Sequence, residues 1–61
     1  MKKAVCVNNQ GFEASLMLHK EYFFEQVQNL DSLNMIKVID ESGAFYIYSK
    51  DMFELPYKTN F

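Results

Sequence analysis

The run from Met35 to Leu55, MIKVIDESGAFYIYSKDMFEL, constrains the fold of this 61-residue chain more than any other part. It reads in order as strand, tight turn, strand, one helical turn and an apolar close. Met35 to Asp40 is apolar and β-branched, with Ile36 and Val38 on one face and Lys37 on the other. Asp40-Glu41-Ser42-Gly43 suits a type I turn ending in a left-handed glycine, a common tight hairpin connection. Ala44 to Tyr48 then returns as the partner strand. Apolar alternation puts Phe45 and Ile47 in the core and turns Tyr46 and Tyr48 outward. Ser49 is placed to cap a helical turn that brings Phe53 and Leu55 back to the core. Pro56 ends the regular structure, leaving residues 56–61 as a tail of a single domain spanning 1–61. These elements predict an all-β fold, a small barrel or curled antiparallel sheet.

The length allows one small core. A chain of this size buries only ~60% of its unfolded surface, so its stability margin is thin, and further support from metal, disulfide or association is common. Cys6 is the sole cysteine, which excludes an internal disulfide. Cys6 and His19 are the only soft ligands and have no zinc-like spacing, so neither metal nor other cofactor is expected. Self-association, a homodimer included, or a protein partner remains as a source of extra burial. The single thiol and the lack of a signal-peptide pattern point to the cytoplasm. No stretch approaches the ~20 apolar residues of a membrane span. Net charge is −2, and the six lysines are scattered along the chain. A nucleic-acid surface calls for clustered cations, so nucleic acid is not the expected partner.

In the first half, Ala4 to Val7 reads as a short strand with Val5 and Val7 on one face, closed by the turn residues Asn8-Asn9-Gln10-Gly11. Ser15 to Val27 supports two readings. Leu16 and Leu18 alternate with polar or flexible neighbours, and Tyr22-Phe23-Phe24 favours a strand with Tyr22 and Phe24 inward and Phe23 and Glu25 outward. A helix from Glu13 to Leu30 also fits, because Leu16, Lys20, Phe23, Val27 and Leu30 recur at three- and four-residue intervals. Adjacent aromatics and the missing N-cap box favour the strand. Gln28 to Asn34 reads as a loop with one helical turn started by Asp31 or Ser32.

Little in the chain carries chemistry. His19 reads as an exposed loop residue, and Cys6, within a predicted strand, as a small core residue. Asp40 and Glu41 are adjacent on a tight turn, where their side chains should diverge into solvent rather than face each other across a cleft. A barrel this small should not enclose the ~300 Å³ that small-molecule sites usually need, so no enzyme and no small-molecule substrate are expected. The aromatics hold more promise, since six Phe and four Tyr are many for so small a core. Phe23, Tyr46 and Tyr48 fall on predicted outward faces, and Tyr57 and Phe61 lie in the tail. Exposed aromatics anchor protein interfaces, unless sheet curvature or the tail covers them.

Leu16-Met17-Leu18-His19-Lys20-Glu21-Tyr22 is similar to the Leu-x-Leu-x-Lys-x-Tyr entry into the second strand of an SH3-like five-stranded barrel. Ile39-Asp40-Glu41-Ser42-Gly43, followed by Tyr46, Tyr48 and Phe53, looks like the distal hairpin and helical turn of that fold. More narrowly, the chain resembles small SH3-like proteins of bacteria and their phages. These often read Leu-x-x-Gly-Lys-x-Tyr, then Ile-x-Asp-x-x-Gly, then an aromatic pair before Phe. His19 departs from that pattern, which prefers glycine. Peptide-binding SH3 domains are a poorer match: the chain has no tryptophan, Ser49 stands in place of their proline, and Met52 in place of their tyrosine. The resemblance implies a small five-stranded SH3-like barrel with one short helical turn, acting as a non-enzymatic protein-interaction module. In one version the protein is a phage-encoded inhibitor that occludes a host protein or defence system. A nucleic-acid-binding barrel and a structural subunit that works by oligomerising are the alternatives.

Overall fold

The computed structural model describes residues 2–56, and the tail positions Tyr57 and Phe61 lie outside them. Five strands form one antiparallel sheet: β1 (Lys2–Cys6), β2 (Glu21–Glu25), β3 (Met35–Ile39), β4 (Phe45–Ser49) and β5 (Phe53–Glu54). A four-residue helix, α1 (Gln28–Asp31), lies between β2 and β3, and a 3₁₀ turn over Lys50–Met52 joins β4 to β5. The fold is all-β, with strand order β4-β3-β2-β1-β5.

Four strand spacings would hold the outer members of a flat sheet about 19 Å apart. The rings of Tyr48 on β4 and Phe53 on β5 are 6.1 Å apart. The sheet therefore curls until its two edges face each other over one core, although no ladder joins β4 to β5 among the described residues. Ala4, Cys6, Tyr22, Phe24, Ile36, Val38, Tyr48, Met52 and Phe53 fill the concave side, together with Leu16 from the β1–β2 loop.

Period-two alternation places Tyr22 and Phe24 inward and Phe23 and Glu25 outward on β2, and Ile36 and Val38 inward on β3, in agreement with the sequence reading. β4 reverses its expectation. Ile39 pairs with Phe45, so Val38 lies opposite Tyr46 and Ile36 opposite Tyr48. Tyr48 is consequently buried in the core, while Ile47 is 52% exposed and Phe45 only half-buried beneath the Lys37 ammonium. Apolar ranking favoured Ile47 as the inward residue, but the turn length decides the register and carries Tyr48 inward. On β1, Ala4 and Cys6 point inward, in agreement with the reading of Cys6 as a core residue, and Val7 lies past the strand and is 44% exposed.

The turns follow their residue chemistry. Gly43 has φ +82° and closes the Asp40–Gly43 turn by donating its N–H to Asp40 O at 3.0 Å. The Ser49 side chain accepts the Asp51 N–H at the start of the 3₁₀ turn, as its capping role requires. Residues 7–20 form a long loop, so of the Ser15–Val27 segment Glu21–Glu25 is strand, as favoured, and the helix from Glu13 to Leu30 is not formed. Leu16 is fully buried and Leu18 exposed. The helical turn near residue 30 starts at Gln28, with Asp31 as its last residue rather than its first. His19 has φ +67° at the loop stem, where its N–H donates to Cys6 O at 2.7 Å. A glycine would adopt this left-handed φ without steric cost.

Tyr48→Ala should cost about 3–5 kcal/mol, as truncation of a buried aromatic does. Tyr46→Ala should stay within about 0.5 kcal/mol. Urea unfolding of the two variants measures the difference, and equal losses would contradict a register that buries Tyr48 and exposes Tyr46. At residue 19, a β-branched valine should lose about 1–2 kcal/mol relative to glycine, since only the left-handed backbone separates them. Thermal melts of His19→Gly and His19→Val test this.

Candidate functional site

The β3–β4 turn organises the candidate site through two adjacent carboxylates. Asp40 is buried, and its Oδ2 accepts the Tyr48 hydroxyl at 2.6 Å. Its Oδ1 accepts the Ser42 N–H at 2.9 Å and the Ser42 hydroxyl at 2.5 Å. Glu41 Oε2 accepts the Tyr22 hydroxyl and the Lys20 ammonium, each at 2.5 Å. Asp40 is buried where the sequence led one to expect a solvated side chain, whereas Glu41 is exposed as expected yet hydrogen-bonded. They do diverge, but each meets a core tyrosine. The Tyr22 oxygen also accepts the Met17 N–H at 2.8 Å, and Glu41 N–H donates to Ser15 O at 3.0 Å. These bonds lash the β1–β2 loop to the turn.

The arrangement moves the pKa values of all four groups. Burial alone would push the Asp40 carboxyl up, but the hydrogen bonds from Ser42 and Tyr48 outweigh it and hold Asp40 below its ordinary value. The Lys20 and Tyr22 bonds lower Glu41. Burial, reinforced by the carboxylate partners, pushes both Tyr22 and Tyr48 up to about 12. Burial also raises the Cys6 thiol, which disfavours the thiolate a nucleophile needs.

An open cavity of about 270 Å³ lies beside the turn, close to the lower bound for ligand sites. Its lining includes Phe12 from the β1–β2 loop, Asp40, and Tyr46, Ile47 and Tyr48 from β4. Phe12 meets Tyr48 edge to face, with ring centroids 5.2 Å apart and planes at 80°. Nothing in the sequence marked Phe12 or Asp40 as site residues, because loop packing brings both to the cavity. Counting back from the Asp40–Gly43 turn to pair Ile36 with Tyr48 was the one available signal for Asp40, since a buried tyrosine hydroxyl needs a partner.

Of the expected interface residues, Tyr46 is exposed at the cavity, and Tyr48 is corrected to a core and cavity-wall residue. Phe23 is exposed on the convex face, opposite the side of the sheet that carries Tyr46. The Lys3 ammonium lies 5.0 Å from its ring centre. The structure does not bring Phe23 and Tyr46 together. Lys3, Lys20, Lys37 and Lys50 each engage an aromatic face or a carboxylate of the chain itself. No helix among the described residues is long and apolar enough to cross a membrane.

Comparison with models of known families, with curated proteins and with solved structures finds no match to this chain.

The pKa shifts have opposite signs at the two ends of the pH scale. For Asp40 and Glu41 the folded value lies below the unfolded one. Their stabilisation is present above the unfolded carboxylate pKa and is lost as pH falls through the folded value. For Tyr22 and Tyr48 the folded value lies above the ordinary 10.0, so their contribution is complete below pH 10.0 and is lost as pH rises toward about 12. Stability measured by denaturant titration should decline on both flanks. Tyr48→Phe should flatten the alkaline decline, and an unchanged slope would show that the Tyr48 hydroxyl does not carry it.

Proposed function

We propose that this chain is a non-enzymatic protein-interaction module of SH3-like form, working through its β4 edge and the neighbouring cavity rim. The observation that carries the reading is the exposure of Tyr46 (56%) and Ile47 (52%) on a strand with no outer neighbour among the described residues. An edge strand offers unpaired backbone groups to an incoming chain. Phe12, 45% exposed, extends the apolar surface across the cavity. Aromatic and aliphatic side chains grouped in this way are what protein interfaces bury.

Further features support a binding role over catalysis. Cys6 is a buried thiol, and no side-chain hydrogen bond links His19 to a nucleophile or carboxylate among the described residues. Asp40 and Glu41 are held by core tyrosines. The occupant of the β4 edge is a partner protein or a second copy of the chain. The module acts by covering a surface, and occlusion of a host protein by a phage-encoded chain is one concrete form of that action.

The test uses a Tyr46→Ser/Ile47→Ser variant, which removes the exposed apolar surface and leaves the core intact. It should keep the wild-type circular dichroism spectrum and remain within about 1 kcal/mol of its stability. It should also lose whatever dimer sedimentation detects, or whatever partner is captured, with the wild-type protein. Equal association by both proteins would place the interface elsewhere, and a strict monomer that captures no partner would overturn the reading.

A further inference from the structure

We propose that the cavity between the β1–β2 loop and the β3–β4 turn is a cation-binding site that receives a basic side chain, arginine foremost, from a partner protein. The inference rests on the interaction reading above and names the chemistry of what is bound.

Asp40 supplies the first argument. It is 6% exposed and lines the cavity, yet all its side-chain hydrogen bonds among the described residues come from the neutral donors Ser42 and Tyr48. None of the ion pairs among those residues reaches it. Its neighbour Glu41 has the Lys20 ammonium, whereas Asp40 meets no cation among them. A carboxylate taken out of water without a countercharge is costly, so a cation entering beside it recovers the Coulomb energy that neutral donors supply only in part. A neutral ligand would desolvate Asp40 further without that return.

The walls supply the second argument. Phe12, Tyr46 and Tyr48 surround the carboxylate with aromatic surface. The negative face of an aromatic ring attracts a cation, and among the described residues Lys3, Lys20 and Lys37 make that contact within the chain. A guanidinium suits the site better than an ammonium. It is planar enough to stack on a ring, less strongly hydrated, and able to direct several N–H donors at Asp40 and the Ser15 and Ser42 hydroxyls together. The opening of about 270 Å³ admits such a head group. Exposed Phe12, Tyr46 and Ile47 around it call for apolar residues flanking the cation, which a protein segment provides and a free small cation does not.

The experiment is a ¹H–¹⁵N NMR titration of the whole chain with N-acetyl-arginine methylamide and, separately, N-acetyl-citrulline methylamide. The second probe keeps the shape of arginine and lacks its charge. The arginine probe should give saturable shifts centred on residues 12–15 and 40–48, in the millimolar range for so small a ligand. Citrulline should bind at least about tenfold more weakly. Asp40→Asn keeps one oxygen to accept from Ser42, turns the other position into an N–H donor that the Tyr48 hydroxyl oxygen can accept, removes the charge, and should lose about tenfold in arginine affinity. Should that variant not fold, Tyr46→Ser removes an exposed wall and should weaken binding about threefold or more. Equal binding of the two probes, shifts centred elsewhere, or no shifts would overturn the proposal. A failed titration with intact Tyr46/Ile47-dependent association removes the cation site alone. Arginine binding without any association removes the interaction module and leaves the site.

Discussion

The hydrogen bond from the Tyr48 hydroxyl to Asp40 Oδ2, 2.6 Å long and shielded from water, joins the β3–β4 turn to the centre of the core. Much of the fold depends on it. It allows a tyrosine to occupy an inward position that an aliphatic residue would otherwise fill, because the polar end of the ring has a partner. It also holds Asp40 in place, so that the same carboxylate accepts Ser42 and shapes the turn that sets the β3–β4 register. Deleting the Tyr48 hydroxyl would leave the buried Asp40 Oδ2 without this donor, and deleting the carboxylate would take from the buried hydroxyl its charged acceptor, so the loss exceeds the net value of an ordinary hydrogen bond.

A second tyrosine–carboxylate contact repeats the device one residue along. Tyr22 on β2 reaches Glu41 and the Met17 N–H, so the long β1–β2 loop is fastened to both the sheet and the turn. With these two anchors the loop over residues 7–20 places Leu16 in the core and Phe12 against Tyr48 without a strand or helix of its own. The chain thereby accommodates many aromatics in a small volume. Tyr22, Phe24, Tyr48 and Phe53 form the core, while Phe23 and Phe45 lie outside it beneath lysine ammonium groups. Those lysines shield rings that would otherwise be bare apolar surface.

The β4 edge and the rim of the cavity carry exposed apolar surface through Phe12, Tyr46 and Ile47, while Met17, Leu18 and Leu33 are exposed elsewhere. The geometry that builds the core also builds this surface, since the register that buries Tyr48 turns Ile47 out and leaves Tyr46 at the rim. A binding reading and a stability reading therefore meet at the same turn. Asp40 serves the core through Tyr48 and faces the cavity as an anionic wall, so its environment links fold integrity to surface chemistry.

The elements themselves were legible in the sequence because they rest on local chemistry. The β3 alternation of Ile36 and Val38, the inward Tyr22 and Phe24, the glycine at position 43 and the Ser49 cap each follow from spacing or backbone preference, and the structure holds all of them. The facing of β4 was not legible, because Phe45/Ile47 and Tyr46/Tyr48 fit a period of two equally well. The choice between them was made by the turn, and by whether a buried partner existed for a tyrosine hydroxyl. Residues 7–20 were illegible for a related reason: Leu16 and Leu18 look alike in sequence, and only docking against the turn buries one and exposes the other. Local sequence determined which residues form strands and where the chain turns. Tertiary structure decided which face of β4 became core, and so which residues were left at the surface, because burial of Tyr48 depends on a carboxylate eight positions away.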